Sequence, residues 1–154
     1  MQDVFLIAIA PLLVLAAYCD VRHLRIPDVI SVAMVGIFAV SAFVSMPDDL
    51  GARLAAAGGV FAVGFVAFAA RLVGGGDVKL LSALMLFVAS DHWLLFANIL
   101  SVALLVGVAG IVAARSARFS GAERWKSLVV PRAFPMAVSI AMAGLSLPVL
   151  ARLV

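Results

Sequence analysis

Two aspartates, Asp20 and Asp77, are the side chains of this sequence whose type and position could support catalysis. Hydrolysis of a peptide bond without a metal ion or a covalent nucleophile needs one group that takes a proton from water. It also needs a second group that donates a hydrogen bond to the carbonyl oxygen. Two adjacent carboxyl groups cannot both ionise easily, so they share one proton and can supply both functions.

The first acidic motif runs from Asp20 to Asp28. Pro27 is expected in the first turn of a helix, where its missing N–H costs nothing, and Asp28 in that turn would complement the helix dipole. Asp20 is instead expected at a helix C-terminus, where a negative charge is unfavourable. A plain alternative for Asp20 is a surface ion pair with Arg22 or Arg25, since such pairs are common and weak.

The second acidic motif places three consecutive glycines, Gly74, Gly75 and Gly76, directly before Asp77. Glycines permit positive φ and a close approach of the backbone, so this segment is expected to unwind beside a reacting peptide. The alternative is a flexible loop whose aspartate caps the next helix. Lys79, two residues further on, could equally extend toward lipid headgroups.

The composition indicates an all-α, polytopic membrane protein. Of the 154 residues, 66% are hydrophobic and only 12% are charged, whereas soluble domains carry about 25% charged residues. The length favours a single integral-membrane domain over residues 1–154, without a separate soluble module. The single cysteine, Cys19, excludes an internal disulfide and a cysteine-based zinc cluster.

Hydrophobic runs between polar breaks predict six transmembrane helices. Their approximate ranges are 4–19, 29–46, 54–72, 78–90, 93–114 and 133–151. The first is interpreted as a retained helix rather than a removed signal, because no basic residue precedes it. The fourth is the shortest, and a turn at Asp91 and His92 is expected to separate it from the fifth.

The distribution of Lys and Arg predicts the orientation. Most of the 11 basic residues fall in the first, third and fifth loops, and the fifth loop, between Arg115 and Arg132, is the richest. Basic loops stay in the cytoplasm, so both termini are expected on the outer side. Asp20 and Asp77 then share the cytoplasmic edge of the bilayer. The fifth loop is expected to contact anionic lipid rather than nucleic acid.

Together the two motifs resemble those of the type IV prepilin peptidases, the GxGD aspartyl proteases of the bacterial inner membrane. The matching features are an Asp followed by a basic stretch and Ile26-Pro27, and a Gly-Gly-Asp-x-Lys sequence before a Leu- and Ala-rich helix. The similarity covers most of the chain. It is most specific to the short, peptidase-only branch that serves Tad/Flp-type pili.

This resemblance implies that Asp20 and Asp77 are the two catalytic aspartates. Gly74 and Gly76 match the motif glycines, and Lys79 matches the basic position. The supporting motif would then comprise Gly74, Gly75, Gly76, Lys79, Ile26, Pro27 and Asp28. Asp28 stands where the family usually has Asn, so a third carboxylate is expected near the pair.

By the same resemblance, the substrate is a prepilin or pseudopilin with a short basic leader and a hydrophobic N-terminal helix. Larger family members also carry a long loop with paired cysteines and methylate the new N-terminus. The first loop here is short and lacks such a pair, so neither zinc, nor any other cofactor, nor methyltransferase activity is expected. Pilus-assembly machinery is a possible partner, and nucleic acid is not.

Two other functions remain compatible with these residues. A small proton-coupled transporter could use both acids as a relay, although no polar row continues across the other predicted spans. A non-catalytic pilus-assembly subunit could carry the same acids as helix caps and ion-pair partners.

Overall fold

The computed structural model describes residues 2–116 and 134–153, and all its regular elements within these ranges are helical. The six α-helices are α1 (Gln2–His23), α2 (Asp28–Val44), α3 (Leu50–Ala69), α4 (Gly75–Met85), α5 (Trp93–Ser116) and α6 (Met136–Leu150). The predicted all-α class is therefore confirmed for the described part of the chain.

Two stretches are long and apolar enough to cross a membrane, namely Leu50–Ala69 and Ser90–Ala114. The helices Asp28–Val44 and Met136–Leu150 are apolar but shorter. About 20 residues are needed to cross the hydrocarbon core without tilting or thinning the bilayer. The six-span topology therefore stays a prediction, although a helix lies in each of the six predicted ranges.

The fourth helix differs most from its predicted range of 78–90. It begins at Gly75 and ends at Met85, so it contains 11 residues and is about 16 Å long. A short 3₁₀ turn, Ser90–His92, then leads into α5, and the turn expected at Asp91 and His92 is present. Because α4 is too short to cross a bilayer, residues from other helices must form contacts with the chain where α4 ends.

Helix α4 lies in the middle of the bundle, in contact with α2, α3 and α6, while α1 packs along α6. Leu80 and Leu84 on α4 are completely buried. A Cβ atom at Gly144 of α6 would lie 2.9 Å from Leu13 of α1 and 3.1 Å from Leu84. The absence of a side chain at Gly144 therefore allows α1, α4 and α6 to meet closely.

A polar cluster closes the C-terminal end of α4. The buried Arg53 donates its Nε–H to Asp49 at 2.7 Å and a terminal N–H to the Leu86 carbonyl at 3.4 Å. The second Asp49 oxygen accepts the Ser90 backbone N–H at 2.8 Å. Burial by itself would raise the pKa of Asp49, but the hydrogen bonds from Ser90 and Arg53 outweigh it and lower that pKa. This cluster joins the beginning of α3 to the end of α4.

Candidate active site

Asp20 lies in the last turn of α1, which continues to His23. The helix ends where Leu24 adopts a positive φ of 53° and its N–H donates to the Asp20 carbonyl at 2.8 Å. This left-handed residue satisfies a carbonyl at the helix end and reverses the chain toward α2. The short loop that follows carries Ile26, and α2 begins at Asp28, with Pro27 as its extended N-cap rather than a residue of the first turn.

The Asp20 carboxylate is buried, with only 6% of the residue exposed. Its Oδ2 atom accepts the backbone N–H of Ala137, in the first turn of α6, at 3.0 Å. The unfavourable position at the end of α1 is therefore offset by the free N–H groups and positive dipole end of α6. The alternative of a surface ion pair is wrong for Asp20, because the carboxylate is buried; the side chain of Arg22 instead donates to the Tyr18 hydroxyl.

Asp77 is the third residue of α4 rather than the residue that caps it. Gly74 is the N-cap, and its backbone donates back to the Asp77 carboxylate. An acidic side chain at this third position satisfies one of the free N–H groups at a helix start, as in half of a capping box. The other carboxylate oxygen, Oδ1, is buried and has no hydrogen-bond partner among the described residues.

The glycine run permits close contacts but does not unwind the chain, contrary to the expectation from sequence. Gly75 and Gly76 lie inside α4, and Gly74 has an ordinary φ of −76°. A Cβ atom at Gly74 would come within 2.7 Å of Asp77 Oδ2, and one at Gly76 would come within 3.1 Å of Ile26. Gly74 therefore makes room for the Asp77 carboxylate, and Gly76 lets the first motif pack against the second.

The two motifs bring Asp20 and Asp77 together, although they come from different helices. Their carboxylates interact electrostatically, and the charge of Asp20 disfavours the ionised form of Asp77. Asp20 is buried, and the Oδ1 atom of the half-buried Asp77 is shielded from water. A pair of this kind retains one proton more readily than two separate carboxylates, which is the arrangement that general acid–base hydrolysis requires.

Asp28 and Lys79 form a separate ion pair. Lys79 Nζ lies 2.8 Å from Asp28 Oδ2, and both side chains are exposed. Lys79 is two residues after Asp77, so its side chain leaves α4 about 200° around the helix axis from the Asp77 side chain. Asp28, the third carboxylate expected near the catalytic pair, therefore forms an ion pair with Lys79.

An apolar groove of about 470 Å³ opens beside Asp20. Val21, which follows Asp20 in the sequence, lines it, and Pro135 and Val138, on either side of Ala137 in the sequence, line it too. Gly110 on α5 also lines the groove. A hydrophobic segment lying between α5 and α6 would therefore approach the carboxyl pair.

The Ala137 N–H is the part of the site that sequence reasoning did not identify. The sequence feature that could have indicated it is Pro135 directly before an apolar stretch, which is typical of a helix start with free N–H groups.

The basic fifth loop, including Arg118, Arg124, Lys126 and Arg132, lies outside the described residues. Within residues 2–116 and 134–153, no three His, Cys, Asp or Glu side chains come together as a metal ion would require. The expected lack of a metal stays a prediction.

Comparison with known proteins gives one positive finding. A family model described as the type IV leader peptidase family matches residues 7–114, which is well over half of the chain. The matched range includes both acidic motifs, most of α1 and all of α2 to α4. Searches of curated proteins and of solved structures gave no significant match.

Proposed function

The chain belongs to the type IV leader peptidase family, and we propose that it is a membrane-embedded aspartyl endopeptidase that removes the short basic leader from Flp-like prepilins and pseudopilins. The observation that supports this proposal best is the electrostatic interaction between the buried Asp20 and the half-buried Asp77. Each is held by the free N–H groups at the start of a helix.

In the proposed reaction the pair begins with one proton. The ionised carboxylate takes a proton from water as the oxygen attacks the scissile carbonyl carbon. The protonated carboxyl group donates a hydrogen bond to the carbonyl oxygen, which gains negative charge as the carbonyl carbon becomes tetrahedral. When the C–N bond breaks, the proton taken from water passes to the leaving amine. The new carboxyl terminus keeps the other water atoms, and the pair again holds one proton.

Asp77 Oδ1 and the position of Asp20 support different parts of this scheme. Asp77 Oδ1 is buried and has no hydrogen-bond partner among the described residues, so its hydrogen-bonding capacity is unused until substrate binds. Asp20 has one oxygen fixed by the Ala137 N–H, which holds the carboxyl group in place before substrate arrives. Either residue could act as the base, because both are carboxylates in similar surroundings.

The substrate helix is proposed to lie in the groove between α5 and α6. The groove walls are apolar, and they include Val21, the residue that follows Asp20. A hydrophobic pilin helix would be seated there within the bilayer, with its leader junction at the carboxyl pair. The hydrophobic part of the substrate would thus supply binding energy that positions the scissile bond.

We propose that the protein lies in the bacterial inner membrane, with both termini in the periplasm and the carboxyl pair at the cytoplasmic face. The concentration of Lys and Arg in alternate loops supports this orientation. A prepilin leader that is basic would also be held on the cytoplasmic side by the same rule.

The proposal is tested by reconstituting the purified protein in lipid vesicles with a Flp-like prepilin and following the mass of the pilin. We expect loss of the leader and a new N-terminus at the start of the hydrophobic helix. A proton flux across the same vesicles without cleavage would indicate the transporter function instead. An intact prepilin with no flux, in the presence of folded protein, would indicate a non-catalytic subunit.

A further inference from the structure

A second cavity lies on the far side of α4 from the carboxyl pair. Its volume is about 420 Å³, and residues of α2, α3 and α4 line it. Lys79, Ser82 and Ala83 line it from α4. Helical spacing puts these residues on one face of α4, whereas Asp77 shares the opposite face with the buried Leu80 and Leu84. The cavity is therefore distinct from the candidate active site.

The walls of this cavity are apolar and open at the outer surface of the bundle. Val32 and Val35 on α2 and Phe61 on α3 line it, and they are 69%, 46% and 46% exposed. A helix is about 10 Å across and rises 5.4 Å per turn, so the cavity could hold about one helical turn. This volume suits a flexible hydrocarbon chain better than a packed transmembrane helix.

Both charges of the Asp28–Lys79 ion pair stand at one end of the cavity. The Lys79 side chain is 46% exposed and the Asp28 side chain is 65% exposed. An ammonium group has three donors and a carboxylate about four acceptor sites, so the single contact between them leaves most of this capacity open. A ligand that carries a negative and a positive group could bind both residues without breaking their ion pair.

Ser31 gives an independent indication of a polar ligand atom. It lines the cavity close to Asp28, only 6% of the residue is exposed, and its hydroxyl has no hydrogen-bond partner among the described residues. Buried hydroxyl groups normally have a partner, because an unmade hydrogen bond costs free energy. An ester or phosphate oxygen at this end of the cavity would supply that partner.

We propose that this cavity binds a phospholipid whose headgroup carries both a phosphate and a primary ammonium group, as in phosphatidylethanolamine. The phosphate would contact Lys79, the ammonium group would contact Asp28, and one acyl chain would lie along Val32, Val35 and Phe61. Phosphatidylglycerol has the phosphate but would face Asp28 without a cation. Phosphatidylcholine has a cation that cannot donate a hydrogen bond.

The test is native mass spectrometry of the full-length protein in detergent, titrated separately with phosphatidylethanolamine, phosphatidylglycerol and phosphatidylcholine of the same acyl chains. We expect phosphatidylethanolamine to bind roughly fivefold more tightly than the other two, as the weak strength of exposed ion pairs allows. Asp28→Asn should abolish this preference over phosphatidylglycerol, and Lys79→Gln should weaken binding of all three lipids.

Val32→Trp should narrow the cavity and lower lipid occupancy, whereas Val40→Trp should not. Both valines are exposed on α2, at 69% and 64%, but Val40 does not line the cavity, so it controls for the added bulk. Equal binding of the three lipids to the unchanged protein would overturn the proposal, as would equal occupancy in the two tryptophan variants.

A photo-reactive amino acid at position 32 should capture lipid, and capture of a protein chain there would also overturn the proposal. None of these measurements requires cleavage of a prepilin.

Discussion

Both candidate catalytic carboxylates are held at the beginning of a helix. Asp20 accepts the Ala137 N–H at the start of α6, and Asp77 accepts from Gly74 at the start of α4. These contacts compensate part of the cost of burying charge, because free N–H groups and the positive dipole end favour a carboxylate. The backbone therefore fixes the positions of both side chains independently of any substrate.

Gly74→Ala tests whether the Asp77 position matters for cleavage. The added Cβ would lie 2.7 Å from Asp77 Oδ2, so the carboxylate must move. We expect cleavage of a prepilin to fall roughly 100-fold, since a displacement of about 1 Å can have that effect. Gly36→Ala is the matched control, because a Cβ at Gly36 has nothing within 4 Å. Equal cleavage by the two variants in a timed gel-shift assay would contradict this role.

For individual residues, the sequence predicted which side chains are candidates for catalysis but not which groups contact them. Asp20 and Asp77 could be identified from their motifs, and their proximity followed from the predicted topology. The Ala137 contact could not be predicted, because it joins residues 117 positions apart. The pairing of Asp28 with Lys79 was also missed, since it depends on the rotation of α4 about its own axis.

The short helix α4 positions Asp77, and it is supported at both ends by other elements. Ile26 packs against Gly76 at its beginning, while Asp49 and Arg53 bind the chain after its end. Asp49 is the N-cap of α3, and Arg53 lies near the beginning of the same helix. Arg53 and Asp49 bind the Leu86 carbonyl and the Ser90 N–H, so they satisfy backbone groups that follow a helix too short to cross the bilayer.

The Asp49 cluster predicts a specific dependence of stability on pH. The pKa of Asp49 is lowered from its ordinary 3.8 in the folded protein, so its ionised form stabilises the fold above that value. The stabilisation is lost as the pH falls through the folded pKa. Asp49→Asn should reduce the free energy of unfolding by about 2 kcal/mol at neutral pH. It should also make that free energy depend less on pH in the acid range.

Thermal unfolding in detergent between pH 7 and pH 3 measures this effect. Asp48→Asn is the matched control, because Asp48 is an exposed neighbour in the same loop. If the Asp48 and Asp49 variants lost stability to the same extent at neutral pH, the cluster would not support α4 in the way described.

The groove between α5 and α6 gives a prediction about substrate binding. Gly110→Leu adds a side chain within the groove, and a Cβ at Gly110 meets nothing within 4 Å. We expect KM for a prepilin to rise roughly tenfold, equivalent to about 1.4 kcal/mol of lost binding. Gly59→Leu on α3 should leave KM unchanged, because it is equally open but lies outside the groove. A similar KM for both variants would contradict the assignment of the groove.

Considered as a whole molecule, the chain is an all-helical bundle built around a short central helix. Hydrophobic runs predicted the number and order of the helices within the described residues. They could not fix where α4 ends, because this depends on tertiary hydrogen bonds that Arg53 donates and Asp49 accepts. The number of membrane crossings and the orientation stay predictions, since within residues 2–116 and 134–153 only two stretches meet the length and hydropathy of a full span.

The family assignment and the fold together locate the chemistry at one end of this bundle. Both acidic motifs fall within the matched residues 7–114, while the α6 segment that binds Asp20 lies beyond them. The candidate active site thus needs the final helix as well as the matched part of the chain. A chain truncated before Met136 should therefore lose the Asp20 contact.

Cleavage by single-asparagine variants is the most direct measurement of the central claim, that Asp20 and Asp77 act as a pair. Asp20→Asn and Asp77→Asn should each lower prepilin cleavage at least 1,000-fold, because each removes one half of the shared acid–base function. Asp28→Asn should retain most of the activity, since Asp28 is paired with Lys79 instead. All three variants should reach the membrane in equal amounts. Full processing of the prepilin by either Asp20→Asn or Asp77→Asn would contradict the account.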